Sequence, residues 1–220
     1  MSEAPHRPAV LDPEEHDTPD EPVQVASDGA GPLWQRDYFA AIEGTDYAPE
    51  DVLQRLLKEF PSFSPDAAAR FIRRGDPAQP LQLGEEMDIE LKGYGPCAVR
   101  VVRIEPRSLT LRTISGHLEA GRITFGAYRD EESRLVFHIR SRSTINGPIR
   151  YLGYRLIGMP IQERIWVTFV ERVAQAVGGK VAGQVYVETQ KAPETAADRG
   201  DAQTPTFMAE DRTGDRDRQK

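Results

Sequence analysis

His117 and Glu119 are the residues of this sequence best suited to proton chemistry. They stand two positions apart in a loop that Gly116 and Gly121 flank, so the pair can share a proton or contact a bound carbonyl group. In the alternative interpretation, the glycines supply unusual backbone angles and the two polar side chains only hydrogen-bond the loop itself. No third group is clearly aimed at the pair, so both residues are catalytic candidates without an assigned role.

A metal site at His117 would need further ligands, and the sequence offers Glu119 and His138. In the predicted strand, His138 shares a face with Arg140 and Arg142, and we expect that face to be solvated. There is no cysteine partner and no His-x-x-x-His spacing, so we predict neither a metal nor another cofactor. The single cysteine, Cys97, begins a strand and is expected to be a small buried apolar residue.

A row of basic residues could attract an anion such as phosphate or a carboxylate head group. The row consists of Arg134, His138, Arg140, Arg142, Arg150 and Arg155. The other interpretation is that basic residues on the solvated side of a strand keep a sheet edge soluble, and that the nearby acidic residues 130–132 offset their charge. We favour this second interpretation.

Aromatic residues fall on the predicted strands and on the last predicted helix, where they can surround an interior. Six of them are candidate ligand-binding residues: Trp34, Tyr38, Phe125, Phe137, Trp166 and Phe169. Such rings either line an apolar pocket for a small ligand or fill the space completely. The sequence leaves both possibilities open.

Charge and composition limit the partners and the location. The net charge of −7 is carried by residues 1–31, which contain eight acidic residues and one arginine, so the remainder is formally neutral. A neutral domain lacks the basic footprint of a nucleic-acid-binding protein, and no apolar run is long enough to span a membrane. With one cysteine and no signal-peptide pattern at the N-terminus, we expect a cytoplasmic protein.

Hydrophobic periodicity predicts one α+β domain over residues 32–179, between an acidic disordered tail (1–31) and a mostly disordered tail (180–220). A strand from Leu33 precedes two short helices, one beginning at Pro49 and one from Ser64 to Gly75 with an N-cap serine and a proline at its first position. Alternating strands then follow at 87–91, 97–104, 108–114, 122–128 and 134–143. A long helix is predicted over 149–177, interrupted near Gly158 and Pro160.

This order resembles the START-like, or helix-grip, superfamily (SRPBCC), in which a curved antiparallel sheet wraps around a long C-terminal helix and leaves a cavity. A closer resemblance is to a bacterial domain-of-unknown-function family, number nineteen-ninety. It is carried by a Gly-His-x-Glu-x-Gly turn at 116–121, by Ile123 and Phe125, and by the 135–137 strand and the last helix. That family brings no catalytic residues to this chain.

The resemblance and the aromatic residues favour a non-catalytic module that binds a small apolar molecule between the sheet and the last helix. A second hypothesis is a cyclase-like enzyme that uses His117 and Glu119 as acid and base. A third is an interaction scaffold that reaches protein partners, of unknown identity, through its tails. Fold alone does not choose among them.

Overall fold

The computed structural model describes residues 23–65, 67–91, 97–114, 117, 119–145, 159–195 and 197–199. Most of the two expected tails lies outside these ranges, as do residues 149–158 of the last predicted helix and Arg150 and Arg155 of the basic row. The tail predictions and the scaffold hypothesis that rests on them therefore stay predictions.

Within the described residues, nine strands form one antiparallel sheet. The order is β2-β3-β4-β5-β6-β7-β1, and both β8 and β9 pair with β1. The strands are β1 (Ala30–Glu43), β2 (Ala69–Arg73), β3 (Glu86–Leu91), β4 (Cys97–Glu105), β5 (Ser108–Thr113), β6 (Glu119–Arg129), β7 (Leu135–Ile145), β8 (Lys180–Val181) and β9 (Tyr186–Lys191). The strands predicted to begin at 33, 87, 97, 108, 122 and 134 are confirmed. Their two-residue sequence period reflects side chains that point alternately to the two faces of the sheet.

Two α-helices pack on one face of this sheet, which we call the inner face. The first, α1 (Pro49–Glu59), has proline at its first position, and the Asp51 carboxylate accepts a hydrogen bond from Ala48 N at 3.2 Å. Its apolar stripe is buried, as predicted, and a 3-10 turn (Phe60–Phe63) follows it. The second, α2 (Met159–Ala176), covers the described part of the long helix predicted from residue 149.

The prediction of a second short helix from Ser64 to Gly75 is wrong. Ala68 N and Ala69 N both donate to Pro65 O, and Ser64 Oγ donates to the Ala69 carbonyl instead of capping a helix. The chain then forms β2, whose Phe71 and Ala69 point inward. Cross-strand ion pairs to β3, such as Arg70 with Glu90, use the same arginines that resembled a helix C-terminus.

The sheet also extends past residue 179, where the domain was expected to end. The β9 strand pairs with β1 over six residues, from Trp34 opposite Lys191 to Phe39 opposite Tyr186. On the N-terminal side, Val23 forms a bridge with Ile114, and a 3-10 turn (Ala26–Asp28) precedes β1. One large sheet with two helices on one face agrees in outline with the helix-grip order.

Strand register assigns each residue to the inner face or to the opposite, outer face. On β1, Tyr38, Ala40 and Ile42 belong to the core under the helices, whereas Phe39 and Ala41 belong to a small second cluster on the outer face. Register then carries this alternation from β1 to β7 and β6.

Candidate functional site

One end of the inner face is packed by aromatic rings. Four of the six predicted ligand-binding residues meet there, namely Phe125, Phe137, Trp166 and Phe169. Phe60 packs against them. The ring centroids of Phe125 and Phe169 lie 5.3 Å apart, and those of Phe125 and Trp166 lie 5.7 Å apart. All five side chains are buried. These rings therefore contact one another directly, with spacing typical of a packed core.

The other two predicted aromatic residues lie on β1. Tyr38 is buried in the same core, opposite Ile139 of β7, and burial raises the pKa of its hydroxyl well above the usual value. Trp34, four residues before Tyr38 on β1, is only partly buried, and Lys191 Nζ lies 5.7 Å from its ring centroid. Trp34 is thus separated from the ring cluster.

Beyond Tyr38, the inner face changes from apolar to polar. The row Tyr38, Ile139 and Phe125 is followed, two residues further along each strand, by Arg36, Ser141 and Ile123. Arg36 and Ser141 are nevertheless buried. A buried guanidinium is costly unless it is paired, so this end must supply a partner for it.

The partner is Glu119, at the start of β6. Its Oε1 accepts hydrogen bonds from Arg36 Nη1 at 3.3 Å and from Ser143 Oγ at 2.9 Å. Its Oε2 accepts a hydrogen bond from Gln162 Nε2 of α2 at 2.9 Å. We call these four residues, Arg36, Glu119, Ser143 and Gln162, the Glu119 cluster. It joins three strands to the helix.

His117 lies beside this cluster and is 8% exposed. Its Nδ1 lies 3.0 Å from both the backbone N and the backbone O of Glu119, so the ring is held by the loop. Burial lowers the pKa of His117, although the Glu119 charge and the backbone hydrogen bond oppose that effect. The imidazole is therefore neutral near pH 7, and both predicted catalytic candidates are buried.

Gly121 is the motif residue with a clear steric requirement. Its φ is +154°, and a Cβ atom there would lie 2.1 Å from the Arg142 carbonyl oxygen of β7. Thr113 Oγ1 bonds both the N and the O of Gly121, at 3.0 and 3.2 Å. The glycine thus lets β6 and β7 approach closely where the Glu119 cluster forms.

An apolar residue of β6 remains partly exposed beside the polar end of the inner face. It is Ile123, two residues from Phe125, and it packs against the core from its edge. A partly exposed apolar side chain on the helix-facing side of a sheet marks a place where the packing is incomplete. The packed rings therefore end near Ile123.

The prediction that His138 is solvated is wrong. His138 and Asp37 are both 0% exposed on the outer face, and His138 Nε2 lies 2.7 Å from Asp37 Oδ1. Arg140 Nε donates to the same oxygen at 2.7 Å, and Gln35 Nε2 donates to Oδ2 at 2.8 Å. Burial raises the Asp37 pKa, but the His138 hydrogen bond and the Arg140 charge outweigh it and hold that pKa well below its usual value.

The remaining arginines of the outer face are also paired inside the protein. Asp198, on a 3-10 turn (Ala197–Arg199), is 2% exposed and accepts hydrogen bonds from Arg122 Nε at 3.1 Å and Arg142 Nη1 at 3.3 Å. Burial lowers the pKa of Arg112 to about 10, and the Arg122 charge acts in the same direction while Asp198 opposes it. His138, Arg140 and Arg142 of the basic row therefore belong to a buried ion network, not to a solvated edge.

Arg134 stands apart from that network. Its Nε donates to Asp130 Oδ2 at 2.7 Å in the turn between β6 and β7, so the acidic segment 130–132 does offset it as expected. Its side chain is one-third exposed. The four described members of the basic row are thus divided between a local turn, which holds Arg134, and the buried outer face.

Sequence reasoning missed the hydrogen-bond partners of Glu119, which are Arg36, Ser143 and Gln162. It also missed Asp37 as a hydrogen-bond partner of His138. A signal was present in β1, where Arg36 and Asp37 are charged residues inside an otherwise apolar alternation. Two adjacent charges in a central strand point to opposite faces, so at least one needs a buried partner. The partners themselves come from strands about a hundred residues away.

The described residues contain no group of three or more His, Cys, Asp and Glu side chains that could hold a metal ion together. Among the described helices, none is both long enough and apolar enough to cross a membrane.

Comparisons with known proteins give only distant matches. No family model and no curated protein matches the chain. A norcoclaurine synthase point mutant from Thalictrum flavum, in complex with a transition-state analogue, is 10% identical, with a TM-score of 0.45 over 66% of this chain and 98% of that one. The di-domain ARO/CYC protein StfQ of the steffimycin biosynthetic pathway is 11% identical, with a TM-score of 0.47 over 69% and 51%.

A ginseng major latex-like protein from Panax ginseng is 17% identical, with a TM-score of 0.35 over 61% of this chain and 97% of that one. With TM-scores below 0.5, these overlaps do not assign this chain to a family or a function. Membership of the family with the Gly-His-x-Glu-x-Gly turn stays a prediction.

Proposed function

We propose that this protein is a non-catalytic module that binds a small, largely apolar molecule between the inner face and α2, beside the Glu119 cluster. The observation that carries the proposal is the change along the inner face. Packed rings end near Ile123, which is partly exposed, and a buried polar cluster follows directly. Small-molecule sites commonly combine apolar walls with a few fixed polar groups in this way.

The aromatic contacts indicate which end of the inner face would hold the ligand. Phe137 and Phe169 already stack with centroids 6.4 Å apart, so a ligand among them would have to displace packed side chains. Near Ile123, a ligand would instead cover apolar surface that is still exposed, at about 25 cal/mol per Å² of surface removed from water. The proposed ligand contacts are therefore Ile123, Trp166 and the Glu119 cluster, with Tyr38 at the border of the site, whereas Trp34 lies apart beside Lys191.

The Glu119 cluster supports a binding role because its side chains are preorganised. Glu119 has partners on three different elements, and Arg36 is 4% exposed, so neither side chain must be ordered when a ligand arrives. The finer predictions from the sequence belong to the same proposal: membership of the START-like superfamily and of the bacterial family numbered nineteen-ninety, and a cytoplasmic location.

Native mass spectrometry of freshly purified protein tests for a bound molecule, and a thermal-shift screen of lipids and aromatic metabolites tests for binding. Ile123→Trp should fill the proposed space and abolish the thermal shift. Ile104→Trp is the matched control, because Ile104 is also partly buried against the core but lies on β4. If no compound shifts the wild type, or if both variants lose the shift equally, the proposed site is wrong.

A cyclase-like enzyme is the second candidate. The burial of His117 and Glu119 favours this candidate, because a pair exposed to solvent on a surface loop would argue against it. A neutral imidazole can act as a base near neutral pH. On a compound found in the screen, turnover by the wild type and its loss in His117→Ala would support this candidate. Turnover that survives the substitution removes His117 from the chemistry.

A further inference from the structure

Trp166 carries a buried hydrogen-bond donor that the fold leaves unused. The residue is 8% exposed, and no described residue accepts a hydrogen bond from its indole Nε1, which is itself inaccessible to solvent. Leaving a buried donor unpaired costs about 1 to 3 kcal/mol. Buried indole N–H groups usually find an acceptor, so this one indicates a partner that is not part of the chain.

The surroundings of Trp166 restrict what that partner can be. Its ring lies 5.7 Å from Phe125 and 6.4 Å from Phe71, measured between centroids, so the indole spans the apolar inner face from β6 to β2. Trp166 also follows Gln162 by one helical turn, and Gln162 donates to Glu119. The unused donor therefore belongs to the same side of α2 as the proposed ligand site.

We infer that the ligand is an uncharged, largely aromatic or aliphatic molecule with a carbonyl-type oxygen that accepts a hydrogen bond from Trp166 Nε1. This inference rests on the proposed function and adds the chemical class of the ligand. A pure hydrocarbon would leave the donor unpaired. A carboxylate among the phenylalanine rings would need a cation to offset its desolvation, and Arg36, the guanidinium of the Glu119 cluster, already binds Glu119.

Two probes of matched shape separate the acceptor from the apolar body. In 2-acetylnaphthalene the carbonyl oxygen is an acceptor, whereas 2-isopropenylnaphthalene has a CH₂ group in its place. A single neutral hydrogen bond to a buried donor should make the ketone bind about 5- to 10-fold more tightly than the alkene. The ratio of dissociation constants, measured by titration calorimetry on the full chain, is the readout.

Nuclear magnetic resonance observes the donor itself. The sequence contains two tryptophans, so the indole region of a ¹⁵N-correlated spectrum should hold two signals, assigned with Trp34→Phe and Trp166→Phe. The ketone should move the Trp166 Nε1–H proton downfield, the alkene should not, and the Trp34 signal is the internal control. If the bound ketone and the bound alkene move the Trp166 proton equally, the acceptor is refuted while the binding site stands.

Trp166→Phe keeps an aromatic ring and removes the N–H group. The ketone-to-alkene ratio should fall to about one in this variant and stay unchanged in Trp34→Phe. A ratio near one in the wild type overturns the acceptor alone. Absence of binding by both probes overturns the proposed function, and the acceptor falls with it. If Trp166→Phe does not fold, the wild-type spectra and the wild-type ratio decide.

Discussion

Replacing Asp37 with asparagine tests the buried ion network of the outer face. The Asp37 carboxylate is fully buried and accepts hydrogen bonds from His138, Arg140 and Gln35 at 2.7 to 2.8 Å. Asparagine has nearly the same shape but no charge. The substitution would therefore remove the carboxylate charge that the guanidinium of Arg140, which is 3% exposed, contacts at 2.7 Å.

The expected cost is large because a buried charge loses its partner. Removing one member of a buried ion pair costs about 3 to 5 kcal/mol, a large share of the stability of an ordinary domain. Asp88→Asn is the matched control, since Asp88 pairs with Arg74 on the same sheet but its side chain is 45% exposed. There the loss should stay below about 1 kcal/mol, because solvent screens the pair.

The effect should also depend on pH with a definite sign. The pKa of Asp37 in the folded protein lies far below 3.8, its ordinary value, so below about pH 4 the unfolded chain takes up a proton that the folded protein does not. The stabilisation is thus complete above pH 4 and declines as the pH falls, by up to about 1.4 kcal/mol per pH unit. The gap between wild type and Asp37→Asn should accordingly narrow below pH 4.

Urea denaturation at pH 7, 5 and 3 measures this gap. The free energies of unfolding of the wild type, Asp37→Asn and Asp88→Asn are compared at each pH, with equal m-values as the check that the unfolding transition is unchanged. A loss below about 1 kcal/mol at pH 7 for Asp37→Asn would refute the argument that this carboxylate compensates Arg140. So would a gap that stays constant from pH 7 to pH 3.

Three further substitutions test the inner face and the loop. Trp166→Ala should lower the free energy of unfolding, measured by urea denaturation, by about 3 to 5 kcal/mol, because it leaves a cavity in the ring cluster. Leu83→Ala, at a side chain that is 57% exposed, should change that free energy little. Gly121→Ala should lower the melting temperature more than Gly44→Ala, because a Cβ atom meets a β7 carbonyl at 2.1 Å in the first case and open space in the second. His117→Asn should flatten the loss of stability between about pH 7 and pH 5, since burial lowers the His117 pKa and the unfolded chain is protonated there first; an unchanged slope would contradict this.

The parts of the fold that sequence reasoning predicted well are those with local causes. The confirmed strand Glu86–Leu91 alternates apolar and polar residues, and α1 has its proline, its acidic first turn and its apolar stripe within eleven residues. The segment from Ser64 to Gly75 also has the residues that typically begin and end a helix. There, however, Arg70 and Arg74 pair across to β3, with residues 20 and 14 positions later, and pairings at such distances have no local signature.

The candidate site was predicted only as the pair His117 and Glu119. Glu119 does take part in a buried polar cluster, but through Arg36, Ser143 and Gln162, which come from three other elements. The row from His138 to Arg142 shows the reverse error, because the rule that basic strand residues face solvent holds only where no buried acid lies opposite. Asp37 lies there, on a strand a hundred residues earlier.

The two buried polar clusters are coupled through β1, because Arg36 and Asp37 are adjacent and point to opposite faces. A one-residue slip of β1 against β7 would bring Asp37 to the inner face and Arg36 to the outer face, and both charges would lose their partners. The Asp37 network with His138 and Arg140 therefore fixes the register that places Arg36 beside Glu119. It follows that the geometry of the proposed ligand site is determined from the outer face of the sheet, by residues that no ligand on the inner face can touch.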